Sequence, residues 1–194
     1  MEDGCPGLER STDHPKAMIL ITGANGLLGR NLARRMVASR EVHAIVRVLP
    51  EDPIQGVNYH VIDLGGGWST DQLPGNIESI IHLAQSSHFR EFPEQAKDVF
   101  RVNVESTFRL LDYARRIGVR QFINASSGGV YGSGKRAFDE NSPIVPPGQL
   151  GYYLGSKLCS EVLVQSYAAH MQSSSLDTFS YMDRIKIGRC LFPD

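Results

Sequence analysis

The stretch T-G-A-N-G-L-L-G at residues 22–29 decides how this chain reads, because its three glycines stand between an apolar run and the start of a helical pattern. The run before it, A-M-I-L-I at 17–21, is short and continuously apolar, as expected for a strand buried on both faces of a parallel sheet. After it, Leu27, Leu28, Leu32, Met36 and Val37 recur at helical spacing over residues 26–38, with Arg34 and Arg35 on the outer face. Strand, tight turn and helix in this order are the context in which such a turn cradles a dinucleotide. Gly23 permits the tight turn, Gly26 lets a pyrophosphate approach the backbone, and Gly29 lets the helix pack closely on the strand. The helix N-terminus then faces the anion. Outside that context, glycines at this spacing would signal only an ordinary turn.

Working outward, the alternation repeats. Residues 42–46 and 57–62 read as strands, and S-I-I-H-L-A at 79–84 as a third buried run. Pro93 suits a helix start, residues 94–117 carry Val99, Val102, Leu110, Leu111 and Ala114 on recurring turns, and Gly118 is a C-terminal stop. Residues 121–125 form the next strand, 126–148 a loop rich in Gly, Ser and Pro, and 150–171 a helix. The pattern predicts a final strand at 185–191, with 172–183 as a surface insertion. Strands alternating with helices call for an α/β fold, a doubly wound parallel sheet of Rossmann type with ligands at the carboxyl ends of its strands. The division expected is a polar N-terminal tail at 1–16 and one dinucleotide-binding domain at 17–194.

Composition narrows the function classes. A chain of 194 residues with 41% hydrophobic and 21% charged residues can bury one full core. The formal net charge of −1, spread without a basic stripe, argues against nucleic acid as a partner. Cys5, Cys159 and Cys190 are odd in number and far apart, which suggests neither a disulfide framework nor a metal site and fits a reducing cytoplasm. The N-terminus lacks an apolar core and no apolar run reaches membrane-spanning length, so neither export nor a membrane is expected.

A second motif lies at Y-L-G-S-K, residues 153–157. Its separation of four places the Tyr153 phenol and the Lys157 ammonium on one helix face. A lysine charge there is expected to lower the tyrosine pKa toward neutrality, as a general acid/base acting on a hydroxyl or carbonyl needs. A tyrosine and a lysine at this spacing are commonly a packed ring beside a solvated charge, a role that Tyr152 could fill as easily. The spacing to Lys157 selects Tyr153. His82, inside an apolar strand, reads as a satisfied core histidine.

These stretches together resemble the extended short-chain dehydrogenase/reductases, in particular the NAD(P)-dependent nucleotide-sugar epimerase/dehydratase branch. The resemblance runs through T-G-A-N-G-L-L-G, Asp63 after the third strand, H-L-A at 82–84, N-V-E-S-T at 103–107, S-S-G-G-V-Y-G at 126–132, F-D-E-N-S-P at 138–143 and Y-Y-L-G-S-K at 152–157. It implies a sheet in the order 3-2-1-4-5-6, and it makes Tyr153 the catalytic acid/base, Lys157 its electrostatic partner and ribose contact, and Ser127 the hydroxyl that positions the reacting oxygen. Gly23, Asn25, Gly26, Leu27, Leu28 and Gly29 would hold the pyrophosphate. Asp63 and Leu64 would lie near the adenine, Leu83 and Ala84 along the cofactor, and Asn103 would organise the site. The family also pairs the helices at 94–117 and 150–171 between subunits, which implies a homodimer.

Two departures from the family pattern shape the expected reaction. The second strand ends A-I-V-R, placing Arg47 where NAD-preferring members carry an acid, so of NADP and NAD the former is favoured. Gly128 and Gly129 stand where dehydratases place acidic residues, so epimerisation through a transient keto sugar is expected rather than dehydration. An NADPH-dependent carbonyl reductase and a non-catalytic dinucleotide-binding module are the alternatives. The stretch I-G-R-C-L-F-P at 187–193 resembles the sixth strand and its exit, after which family members continue into a substrate-binding region. That region is expected to be absent or truncated here, and Phe192 stands where the family often has Asn.

Overall fold

The computed structural model describes residues 16–132, 138–139, 142–171 and 175–179. Six strands, β1 (Met18–Thr22), β2 (Glu41–Val46), β3 (Val57–Val61), β4 (Ser79–His82), β5 (Gln121–Ala125) and β6 (Ser175–Phe179), form one sheet in the order β3-β2-β1-β4-β5-β6. Every pairing is parallel. The helices are α1 (Leu27–Met36), α2 (Ala96–Phe100), α3 (Ser106–Ile117) and α4 (Gly151–Ala168).

Alternation along the strands separates two cores, as the pleat requires. Ile19 and Ile21 of β1, Val42, Ala44 and Val46 of β2, Ile81 of β4 and Ile123 of β5 pack with Ala33 and Met36 of α1. Their neighbours Leu20, Ile45, Ile80 and Phe122 face the other side, against Leu110, Leu111 and Ala114 of α3 and Val164 of α4. Each fully buried Val, Leu, Ile, Met or Phe among them contributes about 1.5–3 kcal/mol of transfer free energy, so each central strand holds helices on both faces.

The expected order of strands stands, but its last member is drawn from different residues. β6 occupies 175–179, inside the segment read from the sequence as a surface insertion, and pairs Gln121 with Ser175 through Ala125 with Phe179. Residues 175–179, S-L-D-T-F, stand at the edge of the sheet and lack the continuous apolar run that marks the central strands, which is why the pattern pointed elsewhere. The strand expected at 185–191, Phe192 and the tail at 1–15 lie outside the described residues.

The helix expected at 94–117 is continuous but not uniform. Between α2 and α3 runs a π-helical turn, Arg101–Glu105, in which the Ser106 N–H bonds the Arg101 carbonyl five residues back. Gly118 closes α3 in the left-handed conformation at φ 73°, the stop its position suggested. Among the described residues no helix is long and apolar enough to cross a membrane.

Candidate functional site

The turn after β1 is built as the glycines require. Gly23 has φ 67°, and a Cβ on it would lie 2.8 Å from the Ala84 nitrogen, so β1 and the exit of β4 approach there to backbone contact. A Cβ on Gly29 would come within 2.4 Å of the Gly23 carbonyl oxygen and 2.7 Å of the Ala24 Cα, which seats the first turn of α1 directly on the loop. The Asn25 side chain donates to the Val48 carbonyl at 2.6 Å and ties the turn to the end of β2. α1 is entered through Gly26, with no capping side chain and no acid in its first turn. Its leading N–H groups and positive dipole end are therefore left for an anion, and the turn fits a dinucleotide pyrophosphate.

Two cavities open at the carboxyl ends of the strands and share Gly23, Gly26, Leu83 and Gln85. The first, about 350 Å³, is lined further by Asn25, Arg47, Asp63, Leu64 and Ala84. Asp63 is oriented by the Gly65 N–H, which donates to its Oδ1 at 3.0 Å. Arg47 stands just past β2 and donates to the Ser87 hydroxyl at 3.3 Å across the cavity wall. The second cavity, about 360 Å³, is lined by Leu27, Leu28, Gly29, Ser127, Tyr153 and Lys157. Leu27 is 73% exposed and faces this space, although its spacing grouped it with the core.

Asn103 lines neither cavity. It is buried within the π-helical turn, where its Oδ1 accepts from the Ser86 N–H at 2.9 Å and its Nδ2 donates to the Ser156 hydroxyl at 2.9 Å. Asn103 thus braces the loop after β4 against α4, holding the two walls of the cleft at a fixed spacing.

The two tyrosines at the start of α4 are separated by their partners. Tyr152 donates to the Ala96 carbonyl at 2.9 Å and stacks on Phe92 at 4.7 Å, a packing role. Tyr153 turns into the cleft, beside Phe89 at 5.0 Å, and donates to the Gln85 Oε1 at 2.8 Å. Lys157 is 4% exposed and donates to the Ala125 carbonyl at the end of β5. Ser127 accepts from the Gly129 N–H at 3.3 Å and opens a 3₁₀ turn, Gly128–Tyr131.

The expected lowering of the Tyr153 pKa by Lys157 is not what the structure holds. Burial pushes the Tyr153 phenol up from its ordinary value. Burial also pulls the Lys157 ammonium down to about 8. The lysine head is directed at a strand carbonyl, so in this state it serves as a buried donor and Tyr153 keeps its proton. His82 behaves as the core residue it resembled. Its Nδ1 meets the Thr22 hydroxyl at 2.7 Å and its Nε2 the Thr107 hydroxyl at 3.1 Å. Burial, with the Lys157 charge as a smaller contribution, holds its pKa at about 3.

With this geometry in view, a family model described as the NAD dependent epimerase/dehydratase family matches residues 19–178. The chain belongs to that family. It is 28% identical over 166 residues to a dTDP-glucose 4,6-dehydratase of Streptomyces antibioticus, covering 77% of this chain and 48% of the relative. It is 30% identical over 161 residues to a uronate dehydrogenase of Pseudomonas putida, covering 80% and 57%. Among solved structures, MoeE5 in complex with UDP-glucuronic acid and NAD superposes with a TM-score of 0.70 at 30% identity, covering 81% of this chain and 52% of that one. The chain therefore spans about half the length of these relatives.

Within this epimerase/dehydratase fold, Gln85, Ser86 and Asp98 are among the cleft residues that escaped the sequence reading. Gln85 lines both cavities, Ser86 donates to Asp98 through a short hydroxyl contact, and Asp98 closes the wall of the first cavity. Gln85 had a usable signal, since it follows H-L-A at the carboxyl end of a buried strand, where ligands of such sheets bind. Asp98 had none, because its pairing with Ser86 depends on how the chain folds back between β4 and α2.

Proposed function

We propose that this chain catalyses NAD(P)-dependent oxidation and reduction at one carbon of a nucleotide sugar, with epimerisation through a transient keto sugar as its reaction. The carrying observation is that Ser127, Tyr153 and Lys157 line the same cavity as the glycine turn at the head of α1. A nicotinamide dinucleotide bound along the cleft would supply hydride acceptance and return. Gly23, Gly26 and the N–H groups of α1 would hold its pyrophosphate, Asp63 and Leu64 its adenine end, and Lys157 its ribose. Tyr153 would take the proton from a sugar hydroxyl and give it back to the keto oxygen, with the Ser127 hydroxyl holding that oxygen in place. Gly128 and Gly129 carry no group that could move a second proton, which favours epimerisation over loss of water.

Arg47 supports NADP as the preferred dinucleotide, because a guanidinium at the mouth of the first cavity can pair in two-pronged fashion with a 2′-phosphate. MoeE5 was solved with NAD, so the preference rests on Arg47 alone. Phe100, Phe108 and Val162 on α2, α3 and α4 are each about half exposed, and a second copy of the chain covering them in a cytoplasmic homodimer accounts for that surface. A monomer in concentrated solution scattering removes the dimer.

One observation favours a second reaction. Burial keeps the Tyr153 proton in place, and a phenol that holds its proton suits donation to a carbonyl, as NADPH-dependent carbonyl reduction requires. Calorimetric titration with NADPH and NADH, followed by assays of UDP- and dTDP-sugars for interconversion and of keto sugars for reduction, separates the two. Turnover that Tyr153→Phe abolishes supports the assignment. Absence of dinucleotide binding, or turnover indifferent to Tyr153, overturns it.

A further inference from the structure

The Gln85 carboxamide meets the Tyr153 phenol inside the cleft. Gln85 leaves the carboxyl end of β4 through Leu83 and Ala84, is exposed, and lines both cavities at their junction. Its Oε1 accepts the Tyr153 hydroxyl hydrogen at 2.8 Å. Among the described residues that is the one hydrogen bond of its side chain. The main chain beside it is firmly held, because the Ala84 N–H donates to the Thr22 hydroxyl at 3.1 Å and the Ser86 N–H to Asn103. A side chain free to turn about a fixed backbone, bonded by one sp² oxygen to the phenol of the cleft, has the geometry of an internal ligand.

We propose that Gln85 is a positioning residue that caps the Tyr153 hydroxyl and is displaced when a dinucleotide and an oxygen-bearing substrate occupy the joined cavities. The proposal rests on the reading of the cleft given above. In the capped state the phenol spends its single proton on the Gln85 carbonyl, so no water or unselected ligand is offered it. An incoming ligand must present its own acceptor to Tyr153 to offset the lost bond, which selects for a carbonyl or hydroxyl placed over the second cavity. Gln85 lines both cavities, so on this proposal a short ligand confined to the first leaves the cap undisturbed, whereas a full dinucleotide that spans both does not. Phe89 packs against the Tyr153 ring at 5.0 Å and adds a second contact to the phenol besides Gln85.

The test uses Gln85→Ala and Gln85→Asn, whose shorter amide cannot reach the phenol, with wild-type protein carrying tyrosine labelled at the ring carbon that bears the hydroxyl. Tyr153→Phe assigns the resonance. In free protein both variants should shift the Tyr153 resonance, and adding NADPH to wild type should shift it the same way. Calorimetry should show NADPH binding tightened by about two- to tenfold in both variants, the range for one competing hydrogen bond, with ADP binding unchanged. A Tyr153 resonance unmoved by either variant overturns the cap. So does NADPH affinity that is unchanged or weakened in both. Wild type that fails to bind NADPH while its Tyr153 resonance responds to Gln85→Ala overturns the cofactor reading and leaves the cap standing as an intramolecular contact.

Discussion

The end of β4 and the inner face of α4 treat a buried ionisable group in opposite ways. At the first, His82 is 2% exposed, neutral, and bonded at both ring nitrogens by Thr22 and Thr107. At the second, Lys157 is 4% exposed, and the hydrogen bond its ammonium makes among the described residues is to the Ala125 carbonyl. One group is satisfied on both sides. The other is a charge that water would solvate better, and it lines the same cavity as Tyr153. On the function proposed above, the cleft has a dinucleotide end at the glycine turn and Asp63 and a reacting end at Tyr153, and the less satisfied of the two groups lies at the reacting end.

The largest effect should separate the two ends by activity. Tyr153→Phe removes the hydroxyl proposed to move the proton, and turnover should fall about 10²- to 10⁴-fold while NADPH affinity, measured by calorimetry, stays within a few-fold. A variant that loses dinucleotide binding in parallel would show that the ends are not separable.

Acid should reach the buried end of β4. His82 has a folded pKa of about 3 against 6.5 unfolded. Between those values the unfolded chain binds the extra proton, so stability must fall as pH drops from 6.5 toward 3, by an amount on the order of 4 kcal/mol. Denaturant melts of His82→Gln should give a shallower loss over the same range. Equal slopes would mean that His82 is not the group titrating.

Lys157 should respond in the alkaline range and by less. Lys157 falls from 10.5 to about 8, so above pH 8 the folded state releases its proton first, and wild-type stability rises toward pH 10.5. Lys157→Met should therefore be more stable than wild type at pH 7 by about 1–3 kcal/mol, since the lost ammonium is the source of the burial penalty. That advantage should vanish as pH approaches 10.5, and ribose-dependent NADPH affinity should drop at all pH values. A less stable variant at pH 7 would show that the Ala125 bond outweighs desolvation.

The smallest effect concerns the rim. Arg47→Ala should reduce the ratio of NADPH to NADH affinity about tenfold, the contribution of one charge-assisted pair at a partly exposed site. An unchanged ratio by calorimetry returns Arg47 to a surface role beside Ser87.

These two ends were also unequally legible. The first is local in the chain: the turn at 22–29, Asp63 and the strand exits follow from glycine sterics and apolar runs, and the structure places Gly23, Asn25, Gly26, Asp63 and Leu64 around one cavity. The second depends on contacts between remote segments. The spacing of Tyr153 and Lys157 was readable, but not that Lys157 would turn its head to the Ala125 carbonyl, nor that burial would push the phenol up. Gln85 lies 68 residues from its partner, beyond the reach of any periodicity. β6 went unread because a parallel edge position can be filled by a segment without an apolar run when its backbone pairs well with β5.

The π-helical turn at Arg101–Glu105 makes this stretch sensitive to length in a way its composition conceals. An α-helix advances about 100° per residue, and the turn absorbs one residue more than an α ladder would. A deletion of one codon there would restore a regular helix, with helical propensity and apolar content almost unchanged. Everything on its N-terminal side would nevertheless swing by about 100° relative to α3. Asp98 would leave Ser86, and the brace set by Asn103 would no longer hold both walls. Such a chain would still melt cooperatively and look intact by circular dichroism, while its cleft had lost its shape.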